Sequence, residues 1–164
     1  MTQYAYYPFR FGLLKIGYDG GAVVSLDRVA QPDGDHLPCP LTDTAFAQLE
    51  DYLAGARKSF DFCYTLRGTP FQQRVWRALC DIPYGETRSY KQIAEAICNP
   101  NACRAVGMAN HHNPMMIVVP CHRVVGGDGS LTGYAGGLER KIQLLTLEGV
   151  STADLRIPRR GTAL

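Results

Sequence analysis

The chain is predicted to fold as a small α/β unit, a sheet with one helix, followed by a mainly α domain containing a helix-turn-helix. Three observations lead there. Two apolar stretches, 11–18 and 20–28, meet at Asp19-Gly20-Gly21, a hairpin signal. Two capping boxes, Thr69 with Gln72 and Ser89 with Gln92, each open an apolar stripe of helical spacing. Asn99-Pro100-Asn101 makes a tight turn between two short helical patterns, which gives the helix-turn-helix outline.

The remaining elements follow in order. Residues 31–40, rich in Pro, Asp and Gly, read as a loop. Residues 42–54 read as a helix with Phe46, Leu49 and Leu53 on one face, and 60–66 as a further strand. A boundary near Arg67-Gly68-Thr69 divides the chain into 1–68 and 69–164, and the first part carries no catalytic constellation. Pro70 suits the first position of a helix lined by Phe71, Val75 and Leu79. The next helix places Tyr90, Ile93 and Ile97 on one stripe; Asn99-Pro100 stops it and caps its successor, which runs to about Ala109. The apolar run 115–119 reads as a strand-like approach to Cys121. Gly126-Gly127-Asp128-Gly129 forms a turn, and a last helix spans 138–148, with Leu138, Ile142 and Leu145 inward and Gly149 as its stop. The chain after Val150 reads as loosely held.

Composition excludes some classes. With 46% hydrophobic and 20% charged residues the chain is ordinary for a globular protein, and it has no long uncharged apolar run. The first residues lack a signal-peptide pattern, so the cytoplasm is expected. Six cysteines without a secretion signal favour reduced thiols, most of them small core residues. No CxxC or HxxxH pattern occurs, and no metal is assigned. The net charge of +2 divides unevenly, −2 up to Gly68 and +4 from Thr69 on. The basic part carries Cys121, which permits a polyanionic partner without demanding one.

Pro120-Cys121-His122-Arg123 concentrates a nucleophile, a base and a cation at one bend. Ionising Cys121 needs a nearby base or positive charge, and adjacency in sequence alone does not supply it; a buried structural thiol fits the residues as well. Glu148, in the last turn of its helix, opposes the helix dipole by about 0.3–1 kcal/mol. His122 or Arg123 would offset that cost, although an exposed glutamate is the simpler reading. Arg104 stands among Ala102, Ala105, Gly107 and Ala109 on a slim helix that suits close approach to a nucleic-acid backbone, or simple tight packing. Tyr90 fits a core or a pocket, Asn113 a turn or a loop brace, and Tyr134 a pocket wall or plain packing.

Val119 to Val125 resembles the active-site signature of the O6-alkylguanine-DNA alkyltransferases. The likeness extends through Tyr84-Gly85-Glu86-Thr87-Arg88-Ser89-Tyr90, Arg104-Ala105-Val106-Gly107, Asn113-Pro114, Gly133-Tyr134-Ala135-Gly136-Gly137-Leu138 and residues 144–149. The resemblance implies an α/β unit followed by a helical DNA-binding domain, and repair of O6-alkylguanine, and of O4-alkylthymine, in double-stranded DNA. It implies no cofactor, no membrane association and a monomer. Cys121 would accept the alkyl group. His122 would take its proton through a water, and Glu148 would orient His122. Tyr90 would help rotate the nucleotide and protonate the departing guanine. Arg104 would enter the base stack from the helix holding Ala105 and Gly107. Asn113 would brace the active-site loop. Tyr134, Ala135 and the backbone around Val124 would line the guanine pocket. Ala135 stands where some relatives carry serine, and Asn110-His111-His112 departs from the glycine- or arginine-containing versions of that loop. Cys121 itself argues against the alkyltransferase-like proteins, in which another residue replaces it. A non-catalytic lesion binder and a Cys-His-Glu hydrolase remain as alternatives.

Overall fold

In the computed structural model, residues 1–129, 131 and 137–153 are described. Tyr134, Ala135 and the tail from 154 lie outside them. The chain divides into two compact units. One is Met1–Arg67 with Pro114–Val118; the other is Gly68–Asn113 with the described residues from Val119 on.

The first unit is an antiparallel sheet of β1 (Gln3–Phe9), β2 (Gly12–Asp19) and β3 (Ala22–Val29), in that order. Leu14 and Ile16 alternate with Lys15 along β2, so the two apolar side chains are fully buried while Lys15 faces the other way. Gly20 and Gly21 take φ of +58° and +83°, which the two-residue hairpin turn between β2 and β3 requires. Helix α1 (Pro40–Leu53) starts on Cys39 with Pro40 at its first position, and buries Ala45, Leu49, Tyr52 and Leu53.

Three expectations need correction here. Strand β1 was not foreseen; it is an edge strand whose Pro8 is tolerated because one side needs no ladder partner. Residues 60–66 form no strand. Tyr64 makes an isolated bridge to Val23, and Phe60, Phe62 and Tyr64 pack edge-on in a chain with centroids 6.1 and 5.9 Å apart. Their alternation reflects aromatic packing, not a ladder. The run 115–119 is not a strand either: Met115 bridges Leu26, and Ile117 turns to φ +71°, a left-handed conformation costly for a β-branched residue.

In the second unit, α2 (Pro70–Cys80) opens on a reciprocal box, Gln72 N to Thr69 Oγ1 at 3.1 Å and Thr69 N to Gln72 Oε1 at 3.0 Å. Gly68 is required before it, since a Cβ there would lie 2.4 Å from Trp76. The Trp76 indole donates to the Ala109 carbonyl at 2.8 Å and ties α2 to α4. The box at Ser89 and Gln92 opens α3 (Tyr90–Ala96), and α4 (Cys103–His111) follows as the second helix of the helix-turn-helix. Asn99 does not cap α4: the N-cap is Ala102, without a side-chain bond, and Asn99 instead accepts the Ala102 amide in the turn. Two-residue strands β4 (Arg88–Ser89) and β5 (Val124–Val125) pair in parallel. Helix α5 (Leu138–Leu147) ends with Glu148 as its C-cap, and Gly149 follows at φ +82°.

The thiols depart from expectation as well. Cys121 is buried, Cys39 and Cys103 are partly so, and Cys63, Cys80 and Cys98 are exposed. A side chain this small adds too little apolar area for burial to be decided by residue type.

Candidate active site

A single 3₁₀ turn, Cys121–Arg123, presents the site, and β5 continues directly from it. The turn is held from several sides. The Asn113 amide donates to the Val119 carbonyl at 2.8 Å and to Cys121 Sγ at 3.1 Å. The Asn110 amide, from α4, donates to the Cys121 carbonyl at 3.4 Å. Cys121 is 4% exposed.

Glu148 is not the exposed glutamate that its position suggested. It is buried, with one carboxylate oxygen 2.7 Å from His122 Nε2. Arg123 grips both oxygens, Nε at 2.8 Å and Nη2 at 3.0 Å, and its Nη1 donates to the Ile82 carbonyl at 2.7 Å. The Gly85 amide adds a bond to Glu148 at 3.2 Å. A carboxylate only accepts, so His122 donates from Nε2 and its Nδ1 is left as the basic nitrogen.

Electrostatics set the resting protonation. Burial pushes the Cys121 thiol up, against the opposing pull of the Asn113 amide and the Lys141 charge. The sulfur therefore rests as a neutral thiol: burial outweighs the Asn113 hydrogen bond and the Lys141 charge. Burial likewise lowers the His122 pKa, outweighing the raising effect of Glu148, so the imidazole rests neutral and able to take a proton.

Residues that sequence reasoning missed are Asn110 and Lys141, whereas Arg123 was offered there as a partner for Glu148. Lys141 is fully buried on α5 and donates from Nζ to the Val124 carbonyl. Desolvation brings its pKa down to about 8, with Cys121 acting in the opposite direction. The signal was present: Lys141 falls three residues after Leu138 and four before Leu145, on the inward stripe.

Of the sequence-derived site residues, Cys121, His122, Asn113, Val124 and Glu148 come together at this turn. Tyr90, Arg104 and Gly107 meet instead along a groove beside α4, and Ala105 is exposed on the same helix. A Cβ on Gly107 would touch the Tyr90 ring at 3.8 Å, an ordinary contact. Packing therefore admits alanine there. Among the described residues no group of three metal-ligating side chains stands together.

A helix-turn-helix joined to a buried thiol and a carboxylate-locked histidine defines a nucleic-acid-binding protein with a cysteine centre. Residues 70–150 match the family model for the 6-O-methylguanine DNA methyltransferase DNA-binding domain. A methylated-DNA--protein-cysteine methyltransferase of Mycobacterium tuberculosis is 62% identical over 163 residues, 96% of this chain and 99% of its own. One from Methanosarcina barkeri is 59% identical over 104 residues, 63% of this chain and 66% of its own. The crystal structure of Mycobacterium tuberculosis OGT in complex with DNA superposes with a TM-score of 0.81 at 48% identity, covering 92% of this chain and 96% of that one. The chain belongs to the methylated-DNA--protein-cysteine methyltransferase family.

Proposed function

We propose that the protein repairs double-stranded DNA by moving the alkyl group of O6-alkylguanine, and of O4-alkylthymine, onto Sγ of Cys121, once per molecule. The observation that carries this reading is the buried His122 held by Glu148 at 2.7 Å, next in the chain to the buried Cys121 thiol. The Cys121 proton passes through a water to His122 Nδ1, and the Glu148 carboxylate, held in place by Arg123, stabilises the imidazolium that results. Sγ attacks the alkyl carbon in line with the C–O6 bond. The S–C bond forms, the C–O6 bond breaks, and its electron pair stays on guanine O6. Tyr90 donates a proton to the departing guanine, so no full anion builds on the base. The product is a thioether, which no neighbouring group can hydrolyse.

Chemistry at O6 requires the nucleotide to leave the stack, at a cost of a few kcal/mol. Arg104, exposed on α4, takes the vacated place, with Ala105 and Gly107 keeping the helix slim. Val124, whose carbonyl Lys141 holds, lines the guanine pocket with Tyr134 and Ala135. Asn113 keeps the turn in register through Val119 and Sγ. The protein acts as a monomer in the cytoplasm; no described helix is long and apolar enough to cross a membrane.

The test is incubation with duplex DNA containing O6-methylguanine, followed by peptide mass analysis. One methyl on the Cys121 peptide per lesion removed is expected. Turnover beyond one equivalent would point to a hydrolase, and binding without transfer to a lesion-recognition protein.

A further inference from the structure

Helix α4 turns one large apolar side chain to solvent. Met108 is 59% exposed, and it follows Arg104 by four residues, which sets the two on the same helix face. Around it the helix is small: Ala105, Gly107 and Ala109. An isolated surface methionine would call for no explanation. This one lines an open groove of about 800 Å³ with Tyr90, Arg104, Gly107, His111 and His112. The helix carries no acidic residue, and its face offers a guanidinium and two imidazoles beside the thioether. Apolar and cationic groups on the second helix of a helix-turn-helix match the chemistry of duplex DNA, whose base steps accept apolar wedges and whose phosphates accept cations.

We propose that Met108 is a second wedge, seated against the base steps of duplex DNA one helical turn from Arg104, and that the groove it lines is occupied by the duplex. This rests on the reading of the protein as a DNA alkyl acceptor. It adds a positioning residue that acts by apolar contact and carries no charge. Methionine suits the role because an unbranched, polarisable chain can follow the irregular surface of a partly unstacked step. Since lesions arise in any sequence, a contact indifferent to base identity fits the task. Arg104 supplies charge and length, and Met108 supplies apolar area that water leaves on binding.

The experiment compares the wild type with Met108→Ala, Met108→Leu and Met108→Gln. An exposed side chain carries little of the fold, and circular dichroism confirms that each variant is folded. Affinity for an O6-methylguanine duplex is measured across a salt series. Met108→Ala and Met108→Gln are expected to bind about tenfold more weakly, the loss set by apolar area left in water. Met108→Leu should bind as the wild type does. The slope of log affinity against log salt should not change in any variant, because no phosphate contact is removed. A 2-aminopurine beside the lesion should brighten on binding the wild type and stay dim with Met108→Ala. Wild-type affinity in Met108→Ala and Met108→Gln would overturn the proposal, as would a changed salt slope. Dimerisation lost in Met108→Ala with duplex affinity unchanged would assign the groove to a second copy and equally overturn it. Methylation of Cys121 by a free O6-alkylguanine base, read in the same samples, separates the two levels. If it persists in Met108→Ala while duplex affinity is unchanged, the wedge fails and the alkyl-acceptor reading stands; if the wild type neither binds duplex nor is methylated, both fail.

Discussion

In the first unit the ion pair of Lys15 with Asp33 lies at the surface, and the Asp33 side chain is 58% exposed. In the second, His122 and Lys141 are fully buried, and Glu148 and Arg123 are 6% and 7% exposed. Both arrangements pair opposite charges at about 2.8 Å, Lys15 with Asp33 and Arg123 with Glu148. Their energetic meaning differs. A surface pair gains ~0–1 kcal/mol after screening and side-chain entropy. A buried pair must first be stripped of water, so a chain of this size could reach the same stability with apolar residues. Placing a carboxylate, a guanidinium, an imidazole and an amine around one thiol is therefore a signature of chemistry, not of stabilisation. It also explains why the Cys121 thiol rests protonated. The environment that raises its pKa is the one that excludes bulk water from the sulfur.

Breaking the buried side of this contrast should have the larger consequences. Cys121→Ala is expected to abolish methyl transfer completely while leaving duplex affinity within a few-fold, read by peptide mass and by anisotropy. Glu148→Gln leaves Arg123 buried without its counter-charge, and should destabilise the protein by ~3–5 kcal/mol in urea unfolding. Lys141 sharpens the contrast through pH. Below pH 8 the lysine is protonated in both folded and unfolded states, and the full cost of burying the charge is present. Between pH 8 and 10.5 the folded protein has released the proton and the unfolded chain still binds it, so that cost is relieved as pH rises. Wild-type stability should therefore climb relative to Lys141→Met across that window, by up to ~3 kcal/mol. Parallel curves would remove Lys141 from the set of buried charges. Last, Asp33→Asn at the surface should shift the urea midpoint least of all these variants, and less still in high salt. A larger loss would erase the distinction between the units.

Legibility in the sequence followed the range of the interaction. The capping boxes of α2 and α3 span three residues, so Thr69 with Gln72 and Ser89 with Gln92 could be read directly. The cysteine turn was equally plain, because four adjacent residues carry it. Whatever depended on a distant partner was obscure. Glu148 looked exposed because Arg123, its clamp, lies 25 residues away. Lys141 passed unnoticed because only a buried lysine interrupts an inward stripe, and burial is a tertiary fact. Residues 60–66 and 115–119 have the composition of strands, but both lie beside β3, Tyr64 bridging Val23 and Met115 bridging Leu26, and each makes one bridge and departs. Strand β1 was concealed by Pro8 and by consecutive buried positions at Ala5 and Tyr6, which break strict alternation.

The short stretch Pro114–Val118 interrupts the residues of the second unit yet belongs to the first. There Leu26 accepts the Met116 amide and donates its own to the Pro114 carbonyl at 2.9 Å. No single break in the gene can therefore part the halves cleanly. A chimera swapped between relatives at residue 68 would marry each β3 to a foreign five-residue graft, so a recombination library built on this scaffold has to move both pieces together.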